Sequence, residues 1–291
     1  VKILVLGVTG MLGSAVFHTL SQSDDCEVFG TLRSRNALHH FPELLHANLI
    51  TDVDVLDTDG LSRVFATVRP DVVINCIGLI KQLSSAKDPL VVLPVNAMLP
   101  HRLANLCDLS SARLVHISTD CVFSGDKGLY DETDESDAKD LYGKSKYLGE
   151  LSNYPHAITL RTSIIGHEFN SSNALLEWFL SQEGATKGFN KAIFSGLPTF
   201  ELARVIRDYI LPNKNLSGLY HIAAAPINKY DLLKLVAEIY NKKITITADD
   251  KLVIDRSLNA DRFNKATGYS APKWPELISL MHESSSLYGS N

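Results

Sequence analysis

Between Leu114 and Glu150 the chain reads LVHISTDCVFSGDKGLYDETDESDAKDLYGKSKYLGE. An apolar strand, Leu114 to Ile117, runs out on three small polar residues, Ser118, Thr119 and Asp120. Further on, a helix-like segment carries Tyr142 and Lys146, a spacing that puts both side chains on one helix face. A free tyrosine titrates near ~10 and donates its proton slowly at neutral pH. An ammonium beside it favours the phenolate and draws that value toward the working range. The hydroxyl of Thr119, or of Ser118, can hydrogen-bond a carbonyl oxygen as negative charge builds on it. These groups suit the delivery of a hydride and a proton to a ketone, with a nicotinamide ring carrying the hydride.

The Tyr-x-x-x-Lys spacing alone is weak, because Tyr230/Lys234 and Tyr269/Lys273 repeat it. Pro272 argues against a continuous helix through the last pair. Tyr230/Lys234 reads as the solvated face of a late amphipathic helix. Only Tyr142/Lys146 follows a strand of the kind that builds a nucleotide-binding sheet.

That sheet is read from the start of the chain. Lys2 to Leu6 is a continuous apolar run, expected of a strand buried on both faces. Gly7-Val8-Thr9-Gly10-Met11-Leu12-Gly13 follows, then an amphipathic segment, Ser14 to Ser21. Strand, glycine turn and helix are the context a dinucleotide needs: backbone close to the pyrophosphate, and a helix N-terminus facing it. Gly7, Thr9, Gly10, Met11, Leu12 and Gly13 are thus cofactor candidates. The second strand, Cys26 to Leu32, runs into Arg33-Ser34-Arg35, where NAD-specific sites place a carboxylate. Two guanidiniums and a hydroxyl suit a 2′-phosphate, so NADPH is the expected cofactor and NADH the alternative.

A short helical region, Ala37 to Leu45, comes next, then a segment ending Asp52-Val53-Asp54-Val55; the third strand of such a fold ends beside the adenine, so Asp54 and Val55 are candidate neighbours of the adenine. Asp57 to Val68 reads as a helix, with Leu61, Val64, Phe65 and Val68 at helical spacing. Asp71 to Gly78 is a fourth buried strand, placing Cys76, Ile77 and Gly78 at the carboxyl end where a cofactor would lie. A helical stretch from Pro89 to Cys107 is interrupted by Pro94 and Pro100, and its Asn96 reads as a buried hydrogen-bonding residue. With the fifth strand, Arg113 to Ile117, the rhythm predicts an α/β fold, a Rossmann-type doubly wound parallel sheet.

After a further strand, Ala157 to Arg161, the rhythm breaks. The expected division is a cofactor domain over 1–165, joined by about 199–222, and a smaller substrate-binding lobe from 166–198 and 223–291. A net charge of −5 over 291 residues argues against a general nucleic-acid binder. No apolar run is expected to span a membrane, and a chain opening on a strand leaves no room for a signal peptide. Cys26, Cys76, Cys107 and Cys121 lack any paired spacing, which fits a reducing cytoplasm without disulfide or zinc. The carboxylates from Asp126 to Asp140 have no regular ligand spacing, so no metal is expected there, and the loop reads as a solvated lid.

The glycine turn, Ser118-Thr119-Asp120 and Tyr142-Gly143-Lys144-Ser145-Lys146 together resemble the extended short-chain dehydrogenase/reductase family, closest in pattern to dTDP-4-dehydrorhamnose reductases and related sugar-nucleotide 4-ketoreductases. Arg69-Pro70-Asp71-Val72, His116-Ile117, Val122-Phe123, Gly125, Gly149-Glu150, Arg161-Thr162-Ser163, Gly218-Leu219-Tyr220-His221 and the tail from Leu258 to Trp274 extend the likeness. The resemblance implies a catalytic set on Thr119, Tyr142 and Lys146, with Lys146 also holding the nicotinamide ribose. It implies reduction of the C4 ketone of a nucleotide-linked 6-deoxy-4-keto-hexose, as in deoxysugar and polysaccharide biosynthesis. Ser118, Asp120, Cys121 and Ile164 fall where the sugar would be read. At Cys121 such reductases usually carry Tyr, and at Ile164 often Trp, so a UDP-linked or N-acetylated 4-keto sugar is a rival substrate. A 4,6-dehydratase or epimerase is an alternative, although dehydratases pair Asp with Glu where this chain has Asp120-Cys121. A non-catalytic NADP-binding regulatory subunit, like that of methionine adenosyltransferase, is another. A homodimer is an option that the sequence leaves open.

Overall fold

The apolar runs become strands β1 (Lys2–Leu6), β2 (Glu27–Thr31), β3 (Leu49–Ile50), β4 (Val72–Asn75), β5 (Arg113–Thr119) and β6 (Ala157–Thr162) in a computed structural model that describes residues 1–81, 87–169 and 172–288. Short strands follow: β7 (Ile164–Ile165), β8 (Ala185–Phe189), β9 (Ala192–Phe194) and β10 (Leu197–Pro198). The next, β11 (Gly218–His221), returns to pair with β6. The main sheet is parallel and seven-stranded, in the order β11-β6-β5-β4-β1-β2-β3. Alternation along each strand divides the apolar side chains between two cores. Ile3, Val5, Ile74 and Val115 face one, while Leu4, Leu6, Val73 and Leu114 face the other.

Helices cover both faces: α1 (Met11–Ser21), α2 (Thr58–Val68), α3 (Pro89–Leu93), α4 (Leu99–Leu109) and α5 (Leu141–Leu148). In α2 the residues Leu61, Val64, Phe65 and Val68 are the buried ones, and Asp57 caps its first turn by accepting the Asp59 N–H. Three expectations need correction. The third strand is only Leu49–Ile50, fixed by the pairing of Gly30 with Leu49 and Thr31 with Ile50. Ala37 to Leu45 falls in two 3-10 turns, Arg35–His40 and Glu43–Asn48. Pro94 and Pro100 do not break the helix, since each opens a new segment: Pro94 a π turn over Pro94–Met98, Pro100 the start of α4.

The continuous run Pro89–Leu109 is, by length and composition, apolar enough to cross a membrane, contrary to the sequence reading. Here it is a core helix. Val92, Val95, Leu99, Leu103, Ala104 and Cys107 are buried, and Asn96 is hydrogen-bonded in the interior.

Beyond helices α6 (Leu175–Ser181) and α7 (Thr199–Val205), the second half adds β12 (Ile227–Asn228) and β14 (Ile254–Asp255) on either side of β9, and β13 (Thr245–Asp249) beside β8, with helix α8 (Lys229–Ile239) packed on them. The acidic segment ties this half to the first and is not a free lid. Tyr130 N–H donates to the Ser257 carbonyl, and Asn259 N–H to the Tyr130 carbonyl. Its charges are paired in part within the segment, as Lys127–Asp134 and Lys139–Asp126, and in part outside it, where Asp137 accepts from Ser124, Asp140 pairs with Lys81 and Glu132 accepts the His221 N–H.

Candidate active site

At Gly7 and Gly13 the first turn leaves no space for a side chain. Gly7 has φ +83°, and a Cβ there would lie 2.7 Å from Cγ1 of Ile77. A Cβ on Gly13 would lie 2.1 Å from the Gly7 carbonyl oxygen, so helix and strand touch directly. Gly10, at the N-cap of α1, supplies no side-chain bond to the first-turn amides, which are left for an outside acceptor. Thr9 is exposed, Met11 half-buried and Leu12 buried, so Leu12 can offer only its backbone. Val8 N–H donates to the Thr31 carbonyl, which sets the end of β2 beside this turn. Arg33, Ser34 and Arg35 are exposed just beyond, with the Ser34 hydroxyl accepting the Asn36 N–H. This cradle fits a dinucleotide.

Asp54 and Val55 divide. Asp54 is exposed and accepts the Leu56 N–H, whereas Val55 is buried in the second core. They lie in a turn after β3, joined to β2 by the Val53 N–H bond to the Leu32 carbonyl.

At the end of β4, Asn75 accepts the Ile77 N–H at 3.1 Å, and Asn96 accepts the Leu79 N–H at 2.9 Å. Gly78 lies between Asn96 and Lys146, within ordinary contact distance of both for an added Cβ. Burial pushes the Cys76 thiol up to about 12, with the neighbouring Lys146 opposing.

The strand carrying Thr119 continues two residues further than its apolar run, so Ser118 and Thr119 are in β5 itself. The Thr119 hydroxyl donates to Asp120 and accepts the Cys121 N–H. Asp140 caps α5 through the Gly143 N–H at 2.8 Å. A Cβ on Gly143 would lie 2.2 Å from the Cys121 carbonyl oxygen, so the helix is seated hard against the loop after Thr119. That seat brings the Tyr142 phenol beside the Thr119 hydroxyl. One turn on, Lys146 is buried and its Nζ donates to the Ile117 carbonyl at 2.7 Å. Desolvation pulls this ammonium down to about 8, against the opposing carboxylate of Glu150 and thiol of Cys76.

The expected effect of Lys146 on Tyr142 is not what the geometry gives. Burial pushes the phenol up, and nearby Cys121, Asp120 and Asp140 push the same way, while the Thr119 hydroxyl opposes. The Lys146 ammonium is turned to the Ile117 carbonyl instead. Tyr142 therefore holds its proton at neutral pH, the form a proton donor needs.

Ser118 is not a second candidate for the ketone. Its hydroxyl donates to Glu150 at 2.6 Å, and Glu150 also accepts two bonds from the buried Arg161. Thr119 is the hydroxyl beside Tyr142. Burial raises the Asp120 carboxyl, opposed by Arg256 and by hydrogen bonds to Cys121, Thr119 and Ser163. Burial and Asp120 push the Cys121 thiol up to about 12. Ile164 is half-buried in β7 opposite Leu197 and packs on the main core.

Two cations from the second half were not picked out in the sequence. Arg256 donates Nε to the Phe123 carbonyl at 2.7 Å and Nη1 to the Cys121 sulfur at 3.8 Å. Lys229, at the start of α8, is lowered by burial and feels the charges of Asp120 and Cys121. No spacing signal links them to Thr119, more than a hundred positions away. Among the described residues no three His, Cys, Asp or Glu side chains cluster as metal ligands.

The sequence profile of the RmlD substrate binding domain matches residues 1–267. Methionine adenosyltransferase 2 subunit beta of Danio rerio is 30% identical over 254 residues, covering 82% of this chain and 74% of that protein. dTDP-4-dehydrorhamnose reductase of Mycobacterium tuberculosis is 36% identical over 118 residues, 38% of each chain. In structure, dTDP-4-dehydrorhamnose reductase of Bacillus anthracis in complex with NADP superposes with a TM-score of 0.80 at 20% identity, over 97% of this chain and 98% of that one.

Proposed function

This chain belongs to the RmlD substrate binding domain family, and from that premise we propose that it is an NADPH-dependent reductase acting on the C4 ketone of a nucleotide-linked 6-deoxy-4-keto-hexose. The observation that carries the reading is the meeting of Thr119, Tyr142 and Lys146 at the end of β5, next to Gly78 and the glycine turn. The cofactor half is 1–165 with about 199–222, and the remainder reads the sugar.

When bound, the nicotinamide supplies the hydride. Gly7, Gly10 and Gly13 admit the pyrophosphate to the backbone, and the uncapped turn of α1 faces its charge. Thr119 and Tyr142 hydrogen-bond the ketone oxygen, stabilising the negative charge that develops there. Tyr142 then gives up its proton to that oxygen; an alkoxide is more basic than a phenolate, so even a raised phenol transfers it downhill. Lys146, an ammonium below about pH 8, offsets the phenolate charge left behind and holds the nicotinamide ribose. Asp120, Cys121 and Ile164, with Arg256 and Lys229, shape the sugar side. Cys121 carries no carboxylate, which disfavours dehydration.

On this reading the exposed Arg33 and Arg35, just past β2, receive the 2′-phosphate. Arg33→Ala is expected to weaken NADPH by about tenfold, the loss of one charge-assisted bond, with NADH little changed. Fluorescence titration of both cofactors reads the difference, and equal losses would remove the preference for NADPH.

A second reading is favoured by one observation, the 30% identity to a methionine adenosyltransferase subunit across most of this chain. On it the protein binds NADP and regulates a partner enzyme. Oxidation of NADPH against a panel of dTDP-, UDP- and GDP-linked 4-keto sugars separates the two. Turnover with at least one member is expected. No turnover with any, together with binding to a methionine adenosyltransferase, would replace the first reading by the second.

A further inference from the structure

Tyr142 and Lys146 are one turn apart on α5, and Glu150 directly follows its C-cap, Gly149. The Glu150 side chain is 7% exposed. Its carboxylate accepts three bonds: from Ser118 Oγ at 2.6 Å, from Arg161 Nε at 2.7 Å and from Arg161 Nη2 at 2.6 Å. Ser118 follows Ile117, whose carbonyl holds the Lys146 ammonium. Arg161 lies over the Phe123 ring and, through His221, reaches the Tyr130 carbonyl. One carboxylate thus joins the end of α5 to the catalytic strand end and to β6, and through Arg161 to β11.

We propose that Glu150 is a positioning residue for the reduction, acting as the counter-anion of Lys146 and clamping, through Ser118, the strand end that presents Thr119. Three other titratable groups around Lys146 offer it no negative charge at pH 7. From its own helix, Tyr142 is held protonated by burial. From the end of β4, the Cys76 thiol is pushed up to about 12. From β5, His116 is held well below its usual range by burial and by Lys146 itself. Glu150 supplies the opposing charge, damped by its bidentate pair with Arg161. Without that carboxylate, a buried ammonium loses its main compensation for desolvation and releases its proton at lower pH. The kinetic consequence rests on the reductase reading; the charge relation does not.

The test reads Lys146 directly, by NMR titration of protein labelled with 13C at the lysine ε-carbon, the Lys146 signal being assigned from Lys146→Met. In the native chain a midpoint of about 8 is expected. Glu150→Gln should lower it by about one pH unit. The double variant Glu150→Gln with Arg161→Gln, which leaves no stranded guanidinium, should lower it too, and decides the matter if the single variant does not fold. The alkaline limb of turnover should move down with the midpoint. A midpoint unmoved in the folded variants would overturn the proposal whatever turnover does. A lowered midpoint in a protein that reduces no 4-keto sugar would leave Glu150 in place and count against the reductase reading alone.

Discussion

Tyr142→Phe is expected to reduce turnover by about a hundred- to ten-thousand-fold, the range usual for loss of a positioned proton donor. The substitution removes one hydroxyl from a ring that the seat of α5 already fixes, since Gly143 packs on the Cys121 carbonyl whether or not the phenol is present. Cofactor affinity should therefore persist, because the glycine turn, Gly78 and Lys146 do not depend on that oxygen. Single-turnover kinetics with NADPH binding measured in parallel distinguish the two effects. Near-native turnover would show that another group donates the proton. Thr119 cannot take over at equal rate, because an aliphatic hydroxyl is a weaker acid than a phenol.

Arg161→Met is expected to have the largest effect on stability, about 3–5 kcal/mol. Arg161 and Glu150 are both buried, at 3% and 7% side-chain exposure, and the substitution leaves the carboxylate with only the Ser118 hydroxyl as a donor. It also removes the guanidinium from the Phe123 ring and the contact with His221. Urea unfolding reads the loss as a fall in midpoint. Replacing both partners, as Glu150→Leu with Arg161→Met, should recover most of it, since the Glu150 carboxylate is no longer left buried without its guanidinium. A single variant as stable as the native chain would mean that water reaches Glu150 and that the pair does not hold β6 to α5.

The parallel sheet was legible because strands buried on both faces are continuous apolar runs, and because the glycine turn sits directly between β1 and α1. Tyr142 and Lys146 were legible for the same kind of reason: a fixed helical spacing in a context that the two other Tyr–Lys pairs lack. What failed depended on contacts distant in sequence. Ser118 reads as a free hydroxyl until Glu150, 32 positions away, is brought against it. The ammonium of Lys146 reads as aimed at Tyr142 until the Ile117 carbonyl takes it. The third strand is two residues long because pairing with β2, and not apolarity, decides its length. The acidic segment has a lid's composition, yet Tyr130 and Ser257 bind it to the second half. Arg256 and Lys229 reach the site only through the fold of that half.

The central claim is that Thr119, Tyr142 and Lys146 serve the reduction of a sugar ketone, and isotope transfer tests it most directly. NADPH carrying deuterium at its transferable position is incubated with the native chain and a 4-keto sugar nucleotide that it turns over, and the product is analysed by NMR. Deuterium bound to the sugar's C4 carbon, with a new hydroxyl on the same carbon and loss of the signal in Tyr142→Phe, is the result predicted. Product with no deuterium at C4, or deuterium delivered equally well by Tyr142→Phe, would contradict it.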